Sequence, residues 1–271
     1  MYQLTCSIVL YNNKTDILKK TINSVLRSKL FKRIYLVDNS ENDFLKTLAD
    51  NSEVEYIFNN NNAGYSRGHN IAIEKAKDNS RYHLVLNPDV YFDEGVLEEL
   101  YNYMEAHANV GQIMPNVLYE NGELQKLCNL LPTPWDLIGR RFFPNQLWFK
   151  RMNERYELKG FNYDKCANIP NLSGCFMFLR MEVLEKIKGF DERYFMYMED
   201  VDLTRRVNEI AETVFYPGVS IYHGFQKESY YNFKLLRYHV TSAMKYFNKW
   251  GWLFDKQRTL INKKTTKSLH L

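Results

Sequence analysis

The sequence predicts an α/β protein with a mostly parallel central sheet flanked by helices, followed by a helical C-terminal tail. Short apolar runs alternate with segments of helical periodicity over roughly the first hundred residues, and the links between them are short. The chain has 271 residues and 45% hydrophobic content, which is ample for a sizeable core and argues against disorder.

Each predicted strand is a short apolar run, and each predicted helix has apolar residues three and four positions apart. The strands lie at 4–11, 33–38, 54–58 and 83–87. The helices lie at 14–28, 41–50, 66–77 and about 94–107. Thr15 or Asp16 is the expected cap of the first helix, and Asp93 that of the last.

The alternation breaks down after about Gly111. Residues 120–170 are rich in Pro, Trp, Phe, Arg and Asn without clear periodicity, which indicates a long, partly ordered excursion. A strand and a helix return at 173–187, and 214–223 is again extended.

Cysteine usage favours a reducing compartment. The four cysteines, at 6, 128, 166 and 175, form no C-x-x-C pair and no zinc-like spacing. We therefore expect reduced thiols in a cytosolic protein. The amino terminus lacks the basic region and cleavage site of a secretory signal, and no apolar stretch approaches the length of a membrane span.

Positive charge is concentrated in the tail. Residues 226–271 contain ten Lys and Arg against two acidic residues, a balance of +8, so the preceding 225 residues carry 4 − 8 = −4. Aromatic residues interleave with these cations, as in a helix that lies in a membrane interface. An amphipathic helix packed on the domain explains the pattern equally well. Nucleic acid binding is not expected, because no recognition module accompanies the charge.

Polar residues follow four of the predicted strands. In a parallel sheet the carboxyl ends of the strands share one edge, where ligands bind. We therefore expect the polar residues to converge on one crevice. They are Tyr11 and Asn12, Asp38 and Asn39, Asn59 to Asn62, and Asn87 to Asp89.

Two of these exits suggest particular ligands. The loop NNNNAGYSRGHN, at 59–70, leads into a helix whose amino end could receive phosphate, although an Asn/Gly turn explains it as well. It matches neither a P-loop nor a dinucleotide fingerprint. In LNPDVYFDEG, at 86–95, Asp89 follows a strand directly, where a carboxylate could hold Mg²⁺ or Mn²⁺ or simply form a turn.

The segment FMYMEDVDLTRR, at 195–206, ends an apolar approach in three carboxylates. A helix start explains Asp202, which could pair with Arg205 or Arg206. It does not explain Glu199 and Asp200, because a carboxylate removed from water is costly unless it is paired or has a chemical task.

Six motifs in order make the sequence resemble the inverting family 2 glycosyltransferases, in particular the bacterial rhamnosyltransferase-like branch. They are VDNS, NNNAGYSRGHN, LNPDV, SGCFMFLR, FMYMEDVDLTRR and IYHG, within about residues 4–225. The resemblance implies a GT-A fold in one continuous domain, 1–225. A nucleotide-binding half would occupy about 1–110 and an acceptor half about 111–225, with 226–271 as a basic aromatic helical tail.

The resemblance also implies a site for the donor nucleotide. Tyr11 would stack on the base, and Asp38 would hydrogen-bond the base edge. The residues that would line the nucleotide loop are Asn62, Gly64, Arg67 and Asn70. His69 stands where relatives often have Arg.

The remaining site residues concern the metal and the chemistry. Asp89 matches the metal-binding acid of the family's Asp-x-Asp motif. Asn87 stands in place of the other carboxylate of that motif and would contact the nucleotide sugar. His223 matches a histidine that completes the site for Mg²⁺ or Mn²⁺ in some relatives. Asp200 would be the base that deprotonates the acceptor hydroxyl, and Glu199 would orient it or touch the acceptor.

The activity implied is inverting transfer of a sugar, with L-rhamnose from dTDP-L-rhamnose as the leading donor and a UDP-hexose as the alternative. The acceptor would be a lipid-linked saccharide in bacterial cell-surface polysaccharide synthesis, with the protein peripheral on the inner face of the membrane. A sugar nucleotidyltransferase should show an early glycine-rich loop, whereas this chain has LYNNKTD. A non-catalytic membrane-associated scaffold is a further alternative, against which the joint presence of Asp38, Asp89, Glu199 and Asp200 argues.

Overall fold

The computed structural model describes residues 1–137, 147–224 and 233–271. The beginning of the predicted tail, at 226–232, and part of the predicted excursion, at 138–146, lie outside these residues.

The described residues form one sheet with helices on both faces. Its strands are β1 (Tyr2–Leu10), β2 (Lys32–Asp38), β3 (Val54–Phe58), β4 (Ser80–Leu86), β5 (Val90–Tyr91), β6 (Val110–Leu118), β7 (Ala167–Asn168), β8 (Phe176–Arg180) and β9 (Glu212–His223). Its helices include α1 (Thr15–Leu26), α2 (Tyr65–Ala76), α3 (Val96–Ala106), α4 (Leu147–Tyr156), α5 (Met181–Lys186), α6 (Glu199–Asn208), α7 (Phe233–Trp250) and α8 (Lys256–Ser268).

The sheet is mostly parallel, as predicted. Its order is β3-β2-β1-β4-β8-β6-β9-β5, with β7 also paired to β9. The first four strands in this order are parallel, and β6 and β9 run in the same direction. The strands β8, β5 and β7 are antiparallel to their neighbours. The parallel half therefore presents the carboxyl ends of four strands along one edge.

Three local predictions were wrong. The segment predicted as a helix at 41–50 forms only a short 3-10 helix, Phe44–Leu48. Lys14 precedes α1 and Gly95 precedes α3, and neither helix has a side-chain cap. The strand β6 was not predicted, because Pro115 interrupts its apolar pattern; the sheet accommodates this proline at a register irregularity between β6 and β9.

Two hydrophobic cores lie on opposite faces of the sheet, since alternate residues of a strand point to opposite sides. Leu4 and Ile8 of β1 belong to the core that includes residues of α1 and α3. Val37 of β2 and Val85 of β4 belong to the core that includes residues of α2, α5 and α6. The site-bearing edge is thus supported from both sides.

The C-terminal helices pack on α6 through buried polar contacts. Arg205 of α6 donates to both carboxylate oxygens of Asp255, at 2.7 and 2.9 Å, and its guanidinium lies 3.9 Å from the ring centroid of Trp250. Asp202 accepts from Lys249 at 2.6 Å and from Arg206 at 2.8 Å. The predicted pairing of Asp202 within its own helix is confirmed with Arg206, whereas Arg205 bonds the tail.

Within the described part of the chain, none of the helices combines the length and apolar character needed to cross a membrane.

Candidate active site

The exits of β1, β2, β3 and β4 meet at one edge, as the sequence predicts. Leu10 is in register with Asp38, and Asp38 is in register with Phe58. Ile8 of β1 pairs with Leu86, the last residue of β4. The loops that follow these strands therefore begin side by side and form one crevice.

Asp38 is fully buried at this edge. One carboxylate oxygen accepts from the backbone N–H of Ser40 at 2.9 Å, and the other accepts from the Tyr56 hydroxyl at 2.6 Å. Burial raises the pKa of Tyr56, and the bond to Asp38 raises it further. The carboxylate is thus fixed in place, with each oxygen accepting one hydrogen bond from the protein.

Tyr11 is exposed where β1 ends. Its backbone N–H donates to Asn13, and the next residue, Asn12, adopts a left-handed φ of 53° and donates to Ser40. The ring of Phe58, at the end of β3, is also partly exposed. Exposed aromatic rings at two neighbouring strand exits provide surfaces on which a flat base could stack.

The loop before α2 turns at Gly64. Its φ of 86° and its close approach to Phe195 require glycine, since an added Cβ would lie 2.5 Å from the Phe195 carbonyl oxygen. The Asn62 side chain accepts from the N–H of Gly64 at 3.2 Å and so holds the turn. Arg67, one turn into α2, is exposed.

Asn70 engages the protein itself. Its amide nitrogen donates to the Phe190 carbonyl at 2.9 Å and to Glu192 at 3.1 Å, and its oxygen accepts from the Phe190 N–H at 2.9 Å. These contacts hold α2 against the segment that leads to Glu199.

His69 lies in a buried polar chain under α2. Its Nδ1 is 2.7 Å from Ser7 Oγ, which is 2.8 Å from Nε2 of His83. Burial lowers the pKa of both imidazoles, that of His83 to about 3, so both are uncharged at neutral pH. Nε2 of His69 has no hydrogen-bond partner among residues 1–137, 147–224 and 233–271.

Asp89, in the loop after β4, faces His223, the last residue of β9. Asp89 Oδ1 lies 3.5 Å from His223 Nε2. Gln125 fixes the ring, because its amide nitrogen donates to the His223 and Leu118 carbonyls and its oxygen therefore faces Nδ1 at 3.1 Å. Nδ1 must then carry the proton, and Nε2 presents a lone pair toward Asp89.

This pair has the donor atoms that a divalent cation needs. A carboxylate oxygen and an imidazole nitrogen with a fixed tautomer fit a Mn²⁺ or Mg²⁺ ion that takes its other ligands from phosphates and water. No group of three or more His, Cys, Asp or Glu that could hold a metal occurs in the described ranges. The Asn87 side chain forms no hydrogen bond to a residue in these described ranges, although its backbone N–H donates to the Cys175 carbonyl at 2.9 Å.

Glu199 and Asp200 begin α6 after a strained turn. Tyr197 and Met198 both have left-handed φ angles, 69° and 66°, which cost of order 1–3 kcal/mol each and cluster at functional sites. Asp200 accepts from the N–H of Gly174 at 3.0 Å, and an added Cβ at Gly174 would lie 3.0 Å from Asp200 Cβ. The turn thus presses the carboxylate against the start of β8.

The two carboxylates differ in their hydrogen bonding. Glu199 is buried, and its Oε2 has no partner among the described residues. Burial raises the Glu199 pKa well above its usual range, and the neighbouring Asp200 raises it further. Burial also raises the Asp200 pKa, while the N–H groups of Gly174 and Val201 oppose the shift. The backbone hydrogen bonds to Asp200 thus favour its ionised form, and Glu199 Oε2 has no such bond from the described residues.

Tyr65 and Cys175 lie among the carboxylates, and sequence reasoning did not single them out. The Tyr65 hydroxyl donates to the Gly174 carbonyl at 2.8 Å. Burial raises the pKa of Tyr65, and Glu199, Asp200 and Asp89 all add to the shift. The signal for Tyr65 was its place in the motif AGYSRGHN.

The residues just before β8 link the Asp89 segment to Asp200. The backbone N–H of Asn87 donates to the Cys175 carbonyl at 2.9 Å, and the N–H of Gly174 donates to Asp200 at 3.0 Å. Burial raises the pKa of the Cys175 thiol to about 12, with further contributions from Asp89 and Asp200. Both carboxylates are thus electrostatic neighbours of one buried residue. The structure therefore brings together the strand exits and the start of α6.

Comparisons with known proteins agree with this architecture. The family model described as Glycosyl transferase family 2 matches residues 5–188. A relative named low-salt glycan biosynthesis hexosyltransferase Agl10, from Haloferax volcanii, is 28% identical over 202 residues, which is 74% of this chain and 60% of the relative. The N-acetylglucosaminyl-diphospho-decaprenol L-rhamnosyltransferase of Mycobacterium tuberculosis is 27% identical over 146 residues, which is 52% of this chain and 46% of that protein.

The fold has solved counterparts. The crystal structure of GalNAc-T7 with UDP, GalNAc and Mn²⁺ superposes with a TM-score of 0.65 at 15% identity, covering 99% of this chain and 55% of that one. This likeness establishes the GT-A fold. The alignments span about half to three-fifths of the two curated relatives. Because the family model covers more than half of the chain, the protein belongs to glycosyl transferase family 2.

Proposed function

We propose that the protein is an inverting glycosyltransferase that moves L-rhamnose from dTDP-L-rhamnose to a saccharide acceptor in bacterial cell-surface polysaccharide synthesis. The observation that carries the proposal is the Asp200 carboxylate, held by the N–H of Gly174, next to Cys175, whose carbonyl accepts from the N–H of Asn87 in the segment that also carries Asp89. The similarity to the mycobacterial rhamnosyltransferase supports the choice of sugar.

In this mechanism Asp200 takes the proton of the acceptor hydroxyl as the hydroxyl oxygen attacks the anomeric carbon. The bond to the diphosphate breaks on the opposite face, so the configuration at that carbon inverts. A positioned carboxylate typically contributes about 10²–10⁴ in rate. Glu199, whose pKa is raised by burial and by the neighbouring Asp200, would orient Asp200 or touch the acceptor.

The donor would lie along the strand exits. Tyr11 offers a ring for the base and Asp38 an acceptor for its edge, while Gly64 and Arg67 border the amino end of α2. Asp89 and His223 would hold Mg²⁺ or Mn²⁺, which neutralises charge on the departing diphosphate. Asn62, Asn70 and Asn87 complete the proposed donor site, with Asn62 and Asn70 acting through the turns that they hold.

A UDP-hexose is the second candidate donor. The similarity to the Haloferax hexosyltransferase favours it. Hydrolysis of a panel of nucleotide sugars by the purified protein, with and without acceptor, decides between the two. Turnover of none of them would favour the non-catalytic scaffold.

Substitution of the base tests the chemistry. Asp200→Asn should lower transfer about 10²–10⁴-fold and leave nucleotide binding nearly unchanged, because the shape is kept while the proton acceptor and one of the two backbone hydrogen bonds to the carboxylate are lost. Asp50→Asn, at an exposed position, is the matched control. Transfer at the wild-type rate by the Asp200 variant would refute the assignment.

The acceptor is proposed to be lipid-linked, as the diphospho-decaprenol in the mycobacterial protein's name suggests. We accordingly place the protein at the cytoplasmic face of the membrane as a peripheral protein. The excess of Lys and Arg after residue 225 supports contact with anionic lipid through the tail.

A further inference from the structure

The turn between α7 and α8 exposes three large apolar side chains in succession. Trp252, Leu253 and Phe254, here called the WLF turn, are 41%, 66% and 94% exposed. Three consecutive exposed residues of this kind are unusual on a monomeric surface, where such patches mark interaction sites. The Trp252 ring still packs on Phe247, with the ring centroids 5.3 Å apart, so Leu253 and Phe254 project farthest.

The backbone of the WLF turn is fixed from both sides. Gly251 has a φ of 100°, and an added Cβ would lie 2.9 Å from the Phe254 carbonyl oxygen. The Arg258 guanidinium donates to the carbonyls of Trp252 and Leu253, at 3.4 and 3.5 Å. The next residue, Asp255, is held by Arg205 of α6. The apolar side chains are thus displayed by a turn that is bonded to the domain.

One face of α8 continues this surface with positive charge. The exposed residues of this face are Lys256, Leu260, Lys263, Lys264 and Lys267. The last four follow Lys256 by 4, 7, 8 and 11 positions, which places all five on one side of a helix. None of the four lysines forms an ion pair with any residue that the structure describes (1–137, 147–224 and 233–271).

Opposite this face, α8 is bonded to the domain. Arg258 is buried and donates to the Pro132 carbonyl at 3.2 Å, and Asn262 exchanges two hydrogen bonds with the backbone of Leu131, each at 2.9 Å. The lysine side therefore faces away from the domain, with Leu260 among the lysines.

We propose that the WLF turn and the lysine face of α8 form one surface that docks on an anionic lipid bilayer. The WLF turn would enter the boundary between headgroups and acyl chains, while the lysines contact the headgroups. Lysine suits this role because its long apolar stem lies along an interface while its ammonium group remains in water. The inference deepens the proposed function, on which it rests for the lipid-linked acceptor.

Charge complementarity favours lipid over a protein or nucleic acid partner. Four unpaired lysines beside projecting Leu and Phe side chains match a surface that is anionic outside and apolar beneath. The face offers no exposed arginine for bidentate contacts to phosphate or carboxylate, since Arg258 is buried. Exposed aromatic rings could stack on bases, so binding to nucleic acid instead of vesicles is an outcome of the test.

The full-length chain must carry the test. Deleting the tail would leave the buried Arg205 without Asp255 and would expose Met198 and Val201, which pack against Tyr246 and Phe247 of the tail, so the shortened chain would differ in folding as well as in binding. Point variants of exposed residues avoid this ambiguity. The two chosen here are Leu253→Ser with Phe254→Ser, and Lys263, Lys264 and Lys267→Ser.

The assay is co-sedimentation with vesicles of phosphatidylcholine alone or with one third phosphatidylglycerol, at low and high salt. The wild-type protein should bind the anionic vesicles at low salt and release on addition of salt. The lysine variant should bind about 100-fold more weakly at low salt, since each Lys near the surface contributes about 1 kcal/mol before screening. The double serine variant should bind about 100-fold more weakly, because it removes two large apolar side chains from the interface.

Matched controls remove the same groups elsewhere. Phe31→Ser with Ile210→Ser deletes two exposed apolar side chains, and Lys19, Lys46 and Lys165→Ser removes three exposed lysines. Both controls should bind vesicles like the wild type. Equal losses in the controls, wild-type binding by the tail variants, or binding of the wild type only to nucleic acid would overturn the proposal.

A separate readout keeps the two proposals distinct. Donor hydrolysis without acceptor and the unfolding midpoint should be unchanged in the tail variants, because their side chains lie outside the donor site. Vesicle binding by a protein that hydrolyses no donor would refute the proposed function and leave the docking surface standing. Donor hydrolysis by a protein that does not bind vesicles would refute the docking surface and leave the proposed function standing.

Discussion

The bond between Arg205 and Asp255 should determine much of the stability with which the C-terminal helices pack on α6. Both side chains are almost completely buried, at 1% and 3% exposure. Removal of one partner leaves a charge in a nonpolar environment, which costs about 3–5 kcal/mol. Asp255→Asn tests this cost while keeping an acceptor for the Arg258 N–H, which Asp255 now caps at 2.8 Å.

The rest of the arginine's surroundings cannot replace the carboxylate. The Tyr246 hydroxyl, at 3.3 Å, and Gln257, at 3.4 Å, are neutral, and the Trp250 ring contacts only one face of the guanidinium. We therefore expect Asp255→Asn to lower the free energy of unfolding by about 3 kcal/mol or more, against a typical total of about 5–15. Asp255→Ala should cost about 1 kcal/mol more, because the cap is also lost.

Urea unfolding of the wild type, both single variants and Arg205→Met with Asp255→Asn measures these terms. The double variant removes both charges and should recover most of the stability that Asp255→Asn loses, because no unpaired charge stays buried. A loss below about 1 kcal/mol in Asp255→Asn, or additive losses in the double variant, would refute the reasoning.

The pH dependence of the free energy of unfolding should also report the bond between Arg205 and Asp255. Burial on its own would raise the pKa of Asp255, but the bonds from Arg205 outweigh it and lower the pKa. Stability from a carboxyl with a lowered pKa is present above its unfolded value and is lost as the pH falls through the folded value. Asp255→Asn should therefore unfold with less dependence on pH under acid conditions than the wild type does.

Three further predictions concern the site. Asp89→Ala should weaken both Mn²⁺ and donor binding in calorimetric titrations, and normal donor binding that is insensitive to chelator would exclude the metal role. Asp38→Ala should raise the donor KM more than it lowers kcat, with Tyr56→Phe as the control that keeps the carboxylate; a pure kcat loss would remove Asp38 from the base site. Burial holds the pKa of His83 at about 3, whereas the pKa of this histidine in the unfolded chain is near 6.5. Below pH 6.5 the unfolded chain therefore binds more protons, and the free energy of unfolding decreases as the pH is lowered. From pH 6.5 to 5 this amounts to about 2 kcal/mol, at ~1.36 kcal/mol per pH unit. His83→Gln should lack this loss in urea unfolding, while the opposite contribution of Glu199 is common to both proteins.

The parallel half of the sheet could be predicted because local signals there are sufficient. Each of the strands β1 to β4 contains a short apolar run, and polar residues mark each exit, at Asn12, Asp38, Asn59 and Asn87. The strand β6 was missed because Pro115 interrupts its apolar pattern, and because its neighbours β8 and β9 come from later parts of the chain. Its pairing compensates for the interrupted pattern.

The candidate site shows the same division. Motif order predicted Asp89 and Asp200 as site residues, and hydrogen bonds at Gly174 and Cys175 link the segments that carry them, while their roles stay predictions. Neither the contact of Gln125 with His223 nor that of Asp255 with Arg205 has a local signal, because each joins residues distant in sequence through one side chain. The roles of Tyr11, Asp38, Asn87 and the loop residues in donor binding stay predictions.

The helix α6 belongs to two parts of the molecule at once, and this sets how the protein should respond to heat. Its first residues carry the proposed base, while Met198 and Val201 share a small core with Tyr246 and Phe247 of α7. Loss of the packing of α7 and α8 on α6 would therefore displace Glu199 and Asp200 while the sheet remains folded. Catalysis should have its own temperature limit, set by a minor cluster and not by the large core, and activity should fade on heating while the sheet is still intact.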